Sequence, residues 1–136
     1  MPSGTILSDS ARVLVVDDNE AVLSRAAMVL AADCVVVGTV RNGPAALAAA
    51  RALRPDVIVL DIGMPGMNGF EVASYLRDTG STAAVVFLTV HVEEEFIQAA
   101  QACGAIGYVV KPRLWSDLLF AVREALAGRS FVSALA

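Results

Sequence analysis

Basic charge and long apolar runs are both scarce in this chain of 136 residues. Lys and Arg number 10 against 14 Asp and Glu, which gives a net charge of −4 and argues against a domain that binds nucleic acid by itself, since such domains carry a basic stripe. No uncharged segment reaches the roughly 20 apolar residues of a membrane span. The first residues also lack the basic and apolar regions of a secretory signal. The sequence therefore predicts a cytoplasmic protein with no membrane partner.

Cysteine is also rare, with Cys34 and Cys103 far apart in the chain. Neither has the nearby Cys or His that a metal site needs. Without a secretory signal, we expect two buried thiols rather than a disulfide.

A short apolar run, a loop and a stretch with helical spacing follow one another five times. The runs are rich in β-branched residues and do not alternate with polar ones, which indicates strands buried on both faces. They are residues 13–16, 34–40, 57–60, 85–90 and 106–110. Pro44 suits a first helical turn, and Ser116 is the expected N-cap of the last helix. Five strands alternating with five helices predict a doubly wound, flavodoxin-like α/β fold with a parallel sheet of order 2-1-3-4-5.

The domain limits follow from the same pattern. Residues 1–11 are mostly small and polar and are predicted to form a disordered tail. Residues 12–130 hold all the strand and helix signals and are predicted to form one domain. Residues 131–136 are predicted to be a tail or the start of a linker.

Polar side chains stand at the ends of four predicted strands. Asp17 and Asp18 follow the first strand, Asp61 the third, Thr89 ends the fourth and Lys111 follows the fifth. The carboxyl ends of the strands form the ligand-binding edge of such a sheet, near the point where strand order reverses. We therefore expect three carboxylates, a hydroxyl and an ammonium to share one crevice.

Three carboxylates in one crevice need positive charge. Two unit charges about 4 Å apart repel by roughly 4 kcal/mol at an effective dielectric constant of about 20. Lys111 offsets part of this, and Mg²⁺, which binds carboxylates and phosphate oxygens, would offset more. The set indicates phosphoryl transfer to a carboxylate nucleophile, with Thr89 as a hydrogen-bond donor. Each residue alone would be an ordinary turn or strand residue, so the inference depends on the combination.

At these residues the sequence resembles the receiver domain of two-component response regulators, of the kind joined to LuxR-type DNA-binding domains. The resemblance is carried by VLVVDDN at 13–19, VIVLDIGMPGMNG at 57–69, FLT at 87–89 and GYVVKP at 107–112. It covers about residues 12–130, nearly the whole chain.

The resemblance implies a role for each acidic residue. Asp61 is the implied phosphoacceptor, which takes a phosphoryl group from a phosphohistidine of a sensor histidine kinase. Asp18 and Asp61 are implied to bind Mg²⁺ directly, together with the backbone carbonyl of Gly63. Asp17 is implied to help through a water or at longer range.

It also implies the phosphate-binding and switch residues. Lys111 pairs with the phosphoryl oxygens. Thr89 moves toward the new phosphate, and Tyr108 turns inward to fill the vacated space. The chain is then not an enzyme beyond catalysing its own phosphotransfer and autodephosphorylation.

Other classes of protein fit the residues less well. A haloacid-dehalogenase-like phosphatase needs a second acidic residue two positions after the nucleophile, where this chain has Gly63. A flavodoxin-like cofactor binder or a dinucleotide-binding fold needs a glycine- or hydroxyl-rich phosphate loop after the first strand. This chain has acidic residues there. A degenerate receiver, which binds partners without phosphorylation, is a further alternative.

The output of the switch is left open between the receiver part of a transcriptional regulator and a single-domain regulator. Residues 128–133 resemble the segment that precedes the linker in LuxR-type regulators and favour the former. The resemblance implies a sensor histidine kinase as partner, a homodimer on phosphorylation, and contact with DNA only through a C-terminal domain that this sequence lacks.

Overall fold

The computed structural model describes residues 10–134, so most of the predicted disordered tail lies outside the described residues. Ala11, assigned to that tail, already belongs to the first strand. The strands are β1 (Ala11–Val16), β2 (Cys34–Val40), β3 (Val57–Leu60), β4 (Ala84–Thr89), β5 (Gly107–Val110) and β6 (Phe131–Val132). The helices are α1 (Glu20–Leu30), α2 (Gly43–Leu53), α3 (Gly69–Asp78), α4 (Glu94–Ala102) and α5 (Leu114–Leu126), and a 3₁₀ turn spans Lys111–Arg113.

The sheet is parallel throughout, with strand order β2-β1-β3-β4-β5-β6. The predicted fold and the order of the first five strands are confirmed. The sixth strand is an addition, because Phe131 and Val132 pair with Gly107 and Tyr108 of β5. The sequence placed a tail or linker there. Two residues are too few to show a strand period, and their partners lie more than twenty positions away.

Helices cover both faces of the sheet. Along β1, Val13 and Val15 pack with α1 and α5, whereas Leu14 and Val16 pack with the helices of the other face. All four side chains are buried. This explains why the strands show no apolar–polar alternation in the sequence.

Helix ends agree with the sequence signals in part. Pro44 lies in the first turn of α2, as predicted. Ser116 was expected to be the N-cap of α5, but the N-cap is Arg113 and the helix begins at Leu114, three residues earlier than predicted and directly after the 3₁₀ turn. The Ser116 hydroxyl instead lies within hydrogen-bond distance of the Arg113 carbonyl and the Asp117 carboxylate. The 3₁₀ turn, with Pro112 near its start, leads directly into α5, so the helix begins without a capping side chain.

The two cysteines and the apolar character of the helices bear on the predictions from composition. Cys103 is buried, Cys34 is partly buried, and both are free thiols whose pKa is raised by burial. Between residues 10 and 134, no helix has the length and apolar character to cross a membrane.

Candidate functional site

The acidic residues are brought together by backbone bonds that continue the sheet beyond its strands. The Asp61 amide donates to the Val16 carbonyl over 3.0 Å, and the Asp17 amide donates to the Val40 carbonyl over 3.1 Å. Carboxylate oxygens of Asp17, Asp18 and Asp61 all lie within 4.8 Å of one another. Asp17 and Asp61 are only 1 % and 5 % exposed, and Asp18 is more open to solvent.

Lys111 supplies the positive charge of this cluster. Its Nζ lies 3.0 Å from Asp17 Oδ2 and 3.5 Å from Asp61 Oδ2. Its side chain is 18 % exposed, so the ammonium is held against both buried carboxylates with little water around it. One ammonium for three carboxylates leaves the cluster with excess negative charge.

The pKa of Asp17 is raised in this cluster. Burial raises the pKa of its carboxyl, and the Asp61 charge raises it further, while the Asn19 backbone N–H and the Lys111 ammonium oppose the change. The Asn19 amide donates to Asp17 Oδ1 over 2.8 Å. Asp17 Oδ2 pairs with the Lys111 ammonium over 3.0 Å and has no hydrogen-bond partner besides this ion pair among the described residues. A carboxylate oxygen in that condition suits a bound cation or its water.

The loop after Asp61 approaches the site closely. The Gly69 amide donates to the Ile62 carbonyl over 2.8 Å. A Cβ on Gly69 would overlap the carbonyl oxygen of Asp61, whereas one on Gly63 would meet nothing within 4 Å. Glycine is therefore required at the start of α3, where the helix passes directly over the Asp61 backbone. Gly63 lies exposed in the same loop, two residues after Asp61.

The two predicted switch residues are linked through one loop residue. Thr89 is fully buried, and its Oγ1 accepts from the His91 amide over 3.3 Å. Tyr108 is 2 % exposed, and its hydroxyl donates to the His91 carbonyl over 3.0 Å. Burial, with a smaller contribution from Glu93, raises the pKa of Tyr108 to about 12. Tyr108 thus has the inward orientation that the resemblance assigns to the switched state.

Some contacts around the site were not predicted from the sequence. The His91 ring stacks on Phe96 with centroids 4.1 Å apart. Asp117 and Ser133 are buried and bonded to each other over 2.7 Å. The first contact joins the loop after β4 to the first turn of α4, and the second joins α5 to the residue after β6. Neither leaves a periodic signal in the sequence.

A separate groove lies away from the acidic residues. It has a volume of about 620 Å³ and is lined mainly by α2 and the α3–β4 loop, at the other ends of the strands. None of the predicted site residues lines it.

Fold and site together define a class of protein. Residues 13–123 match the response regulator receiver domain family, and the chain belongs to that family. It is 35 % identical over 127 residues to the nitrate/nitrite response regulator protein NarL of Escherichia coli (strain K12), covering 92 % of this chain and 59 % of the relative. It is 36 % identical over 124 residues to the response regulator GacA of Pseudomonas viridiflava, covering 90 % and 58 %. The chain thus spans about three fifths of these curated relatives.

Solved structures agree. A LuxR-family two-component response regulator from Aurantimonas sp. SI85-9A1 superposes with a TM-score of 0.86 at 29 % identity, over 90 % of this chain and 89 % of that one. The response regulator domain of Thermotoga maritima CheB gives a TM-score of 0.81 at 29 % identity, over 87 % and 97 %. The predicted family is confirmed.

Proposed function

We propose that the chain is a phosphorylation switch in which Asp61 accepts a phosphoryl group from a phosphohistidine of a sensor histidine kinase. The observation that carries the proposal is the placement of Asp61, a nearly buried carboxylate 3.5 Å from the Lys111 ammonium at the edge of the sheet. The match to the response regulator receiver domain family supports a sensor kinase as the donor.

The transfer is a nucleophilic displacement at phosphorus. A carboxylate oxygen of Asp61 forms the new O–P bond while the P–N bond to the imidazole breaks, and the electron pair stays on the imidazole nitrogen. The product is an acyl phosphate. Lys111 is close enough to pair with its oxygens, and charge-assisted bonds of this kind are the stronger hydrogen bonds of proteins. Thr89 ends the neighbouring strand and would donate its hydroxyl to the phosphoryl group.

The acidic cluster fits Mg²⁺. Asp18, Asp61 and the Gly63 carbonyl would hold the ion, and Asp17 offers a buried oxygen without a hydrogen bond. When bound, the ion would neutralise charge on the phosphoryl oxygens and on the three carboxylates. This fit depends on hard oxygen donors, which the cluster provides.

The switch would act through the loop after β4. A shift of a two-state population from about 1:99 to 99:1 takes about 5.5 kcal/mol, and hydrogen bonds to charged groups contribute about 1.5–3 kcal/mol each. Two to four such bonds, from Lys111, Thr89 and the backbone, would therefore be sufficient. Because both Thr89 and Tyr108 bond to the backbone of His91, a movement of Thr89 would be transmitted to Tyr108 through that residue.

We also propose that the chain acts as the receiver part of a transcriptional regulator, as its similarity to NarL, GacA and LuxR-family proteins supports. On this proposal a sensor histidine kinase is the upstream partner, and phosphorylation promotes a homodimer. DNA would be contacted only through a separate C-terminal domain. The chemistry of the chain itself would be limited to its own phosphotransfer and autodephosphorylation.

Intact mass after incubation with acetyl phosphate and Mg²⁺ tests the acceptor. We expect a gain of one phosphoryl group that depends on Mg²⁺ and is lost in Asp61→Ala. The matched control is Asp56→Ala, which removes an exposed aspartate at the opposite edge of the sheet and should leave the gain intact. A chain that gains no mass from acetyl phosphate or from a phosphorylated histidine kinase would instead be a degenerate receiver.

A further inference from the structure

A second polar cluster, with a buried carboxylate and hydroxyl and a partly exposed guanidinium, lies on the other side of the β5–α5 turn from the acceptor site. Asp117 is 7 % exposed, and its carboxylate accepts hydrogen bonds from the Arg113 guanidinium over 2.8 and 3.3 Å. The Ser133 hydroxyl, on a residue only 2 % exposed, donates to the same carboxylate over 2.7 Å. We call Arg113, Asp117 and Ser133 the C-terminal clasp. The Arg113 guanidinium and these hydrogen bonds hold the pKa of Asp117 below its ordinary value.

The clasp fastens β6 to β5. The Ser133 amide donates to the Tyr108 carbonyl over 2.9 Å, and the Ser133 hydroxyl accepts from the Val110 amide over 3.3 Å. The ladder between the two strands is thereby extended past Val132. A two-residue strand has little stability of its own, so its position depends on these bonds and on the Phe131–Phe120 contact, whose ring centroids are 5.3 Å apart.

The clasp and the acceptor site share one short segment. Val110, which bonds to Ser133, immediately precedes Lys111. Lys111 and Arg113 are the two ends of the three-residue 3₁₀ turn. Lys111 reaches Asp17 and Asp61, whereas Arg113 reaches Asp117. The turn is therefore held from one side by the acceptor carboxylates and from the other by the clasp.

We propose that docking of residues 131–133 is coupled to the state of Asp61 through this turn, so that the C-terminal segment is held more firmly when Asp61 carries a phosphoryl group. The inference rests on the proposed function of Asp61 as the phosphoacceptor. Phosphoryl oxygens would hold the Lys111 ammonium and restrict the turn, which lowers the entropic cost of ordering Arg113 and its clasp. Coupling between two sites is reciprocal, so a docked segment also favours the Lys111 position used in phosphotransfer. Ser133 and Asp117 are positioning residues on this view.

Amide hydrogen exchange measured by NMR on the full chain tests the coupling without any substitution. With acetyl phosphate and Mg²⁺, we expect the Val110 and Ser133 amides to exchange about 5-fold more slowly or better, the lower end of typical coupling between sites. Amides of β2, at the far edge of the sheet, provide the control. Unchanged exchange at Val110 and Ser133 in a chain whose mass shows full phosphorylation would overturn the proposal.

Substitutions test the reverse direction. Ser133→Ala should weaken the binding of beryllofluoride with Mg²⁺, a mimic of the phosphoryl group, about 5-fold, because coupling between binding free energies acts equally from both sites. Ser130→Ala is the matched control, since its exposed hydroxyl makes no hydrogen bond within residues 10–134, and its affinity should equal that of the wild type. A folded Ser133→Ala variant with a normal affinity contradicts the coupling, even if its stability is lower.

A third arm separates this proposal from the proposed function. Lys111→Ala should accelerate exchange of the Ser133 amide about 5-fold in the unphosphorylated chain, again from the reciprocity of coupling. This result does not require Asp61 to accept phosphate. If exchange is faster in Lys111→Ala but the wild type cannot be phosphorylated, the link between turn and clasp stands and the acceptor role of Asp61 is rejected. If exchange is unchanged in Lys111→Ala, the link itself is rejected.

Discussion

Replacement of Asp17 by asparagine is expected to stabilise the fold without divalent cations and to weaken Mg²⁺ binding. Asp17 lies within 4.8 Å of Asp61 and of Asp18. At an effective dielectric constant of about 20, charges at that separation repel by about 3.5 kcal/mol for each pair. Attraction to Lys111 over 3.0 Å returns about 5.5 kcal/mol on the same scale.

Solvent screening reduces the share of Asp18, which is the most exposed of the three carboxylates. Repulsion and attraction at Asp17 then nearly cancel, and the desolvation of its buried carboxylate remains as the net cost. Asparagine removes this cost and can still accept from the Asn19 amide. Lys111 keeps Asp61 as its partner. We therefore expect a gain of about 1 kcal/mol in the free energy of unfolding.

Urea unfolding in EDTA and in Mg²⁺ measures both effects. The wild type should gain about 1.4 kcal/mol when Mg²⁺ is tenfold above its dissociation constant, and Asp17→Asn should gain less at the same concentration. Asp56→Asn, at the opposite edge of the sheet, should respond to Mg²⁺ like the wild type. Asp17→Asn that is less stable than the wild type in EDTA by more than about 1 kcal/mol would refute the reasoning, since the Lys111 ion pair would then outweigh the desolvation cost.

Three further predictions follow from single contacts. Gly69→Ala should destabilise the fold by about 1–3 kcal/mol, because its Cβ would overlap the carbonyl oxygen of Asp61. Gly63→Ala should cost far less in the same urea assay, and equal losses would contradict the steric argument. Arg113 lowers the pKa of Asp117 from 3.8, so unfolding takes up a proton and the stability from this pair is lost as pH falls below about 3.8. Asp117→Asn should therefore flatten the acid limb of unfolding free energy against pH, and an unchanged slope would be evidence against the ion pair. Tyr108→Phe should lower the free energy of unfolding by about 0.5–1.5 kcal/mol, because one hydrogen bond is lost. It should also remove the tyrosine absorbance titration expected at pH about 12. A wild type with no tyrosine titrating that high would disprove the burial of the Tyr108 hydroxyl.

The sequence predicted the parts of the fold that depend on repeated local patterns. Five buried strands and five helices are visible because each recurs over four or more residues, and the order of the sheet follows from the handedness of parallel crossovers. The predicted start of α5 was wrong by three residues, since a 3₁₀ turn is too short to have a periodic signal. The strand β6 was missed for the same reason, and because its bonds to β5 are long-range.

The acidic site was predictable because topology alone brings strand ends together. Asp17 and Asp61 follow the adjacent strands β1 and β3, Lys111 follows β5 on the far side of β4, and the three side chains meet as expected. The resemblance added the roles of Gly63 and Tyr108, which topology does not supply. The C-terminal clasp could not be predicted, because an aspartate in a helix and a serine beyond the last helix have no relation in the sequence.

The short strand β6 also has a consequence for handling the protein. Without it, β5 would be the outermost strand, with a row of four buried residues, Gly107–Val110, open along one side. Exposed apolar edges of this kind pair with other chains and cause aggregation. A shortened protein that ends at residue 130, where the sequence alone places the domain limit, should therefore be poorly soluble. One that retains residues 131–134 keeps its edge covered by a strand too short to recruit another chain.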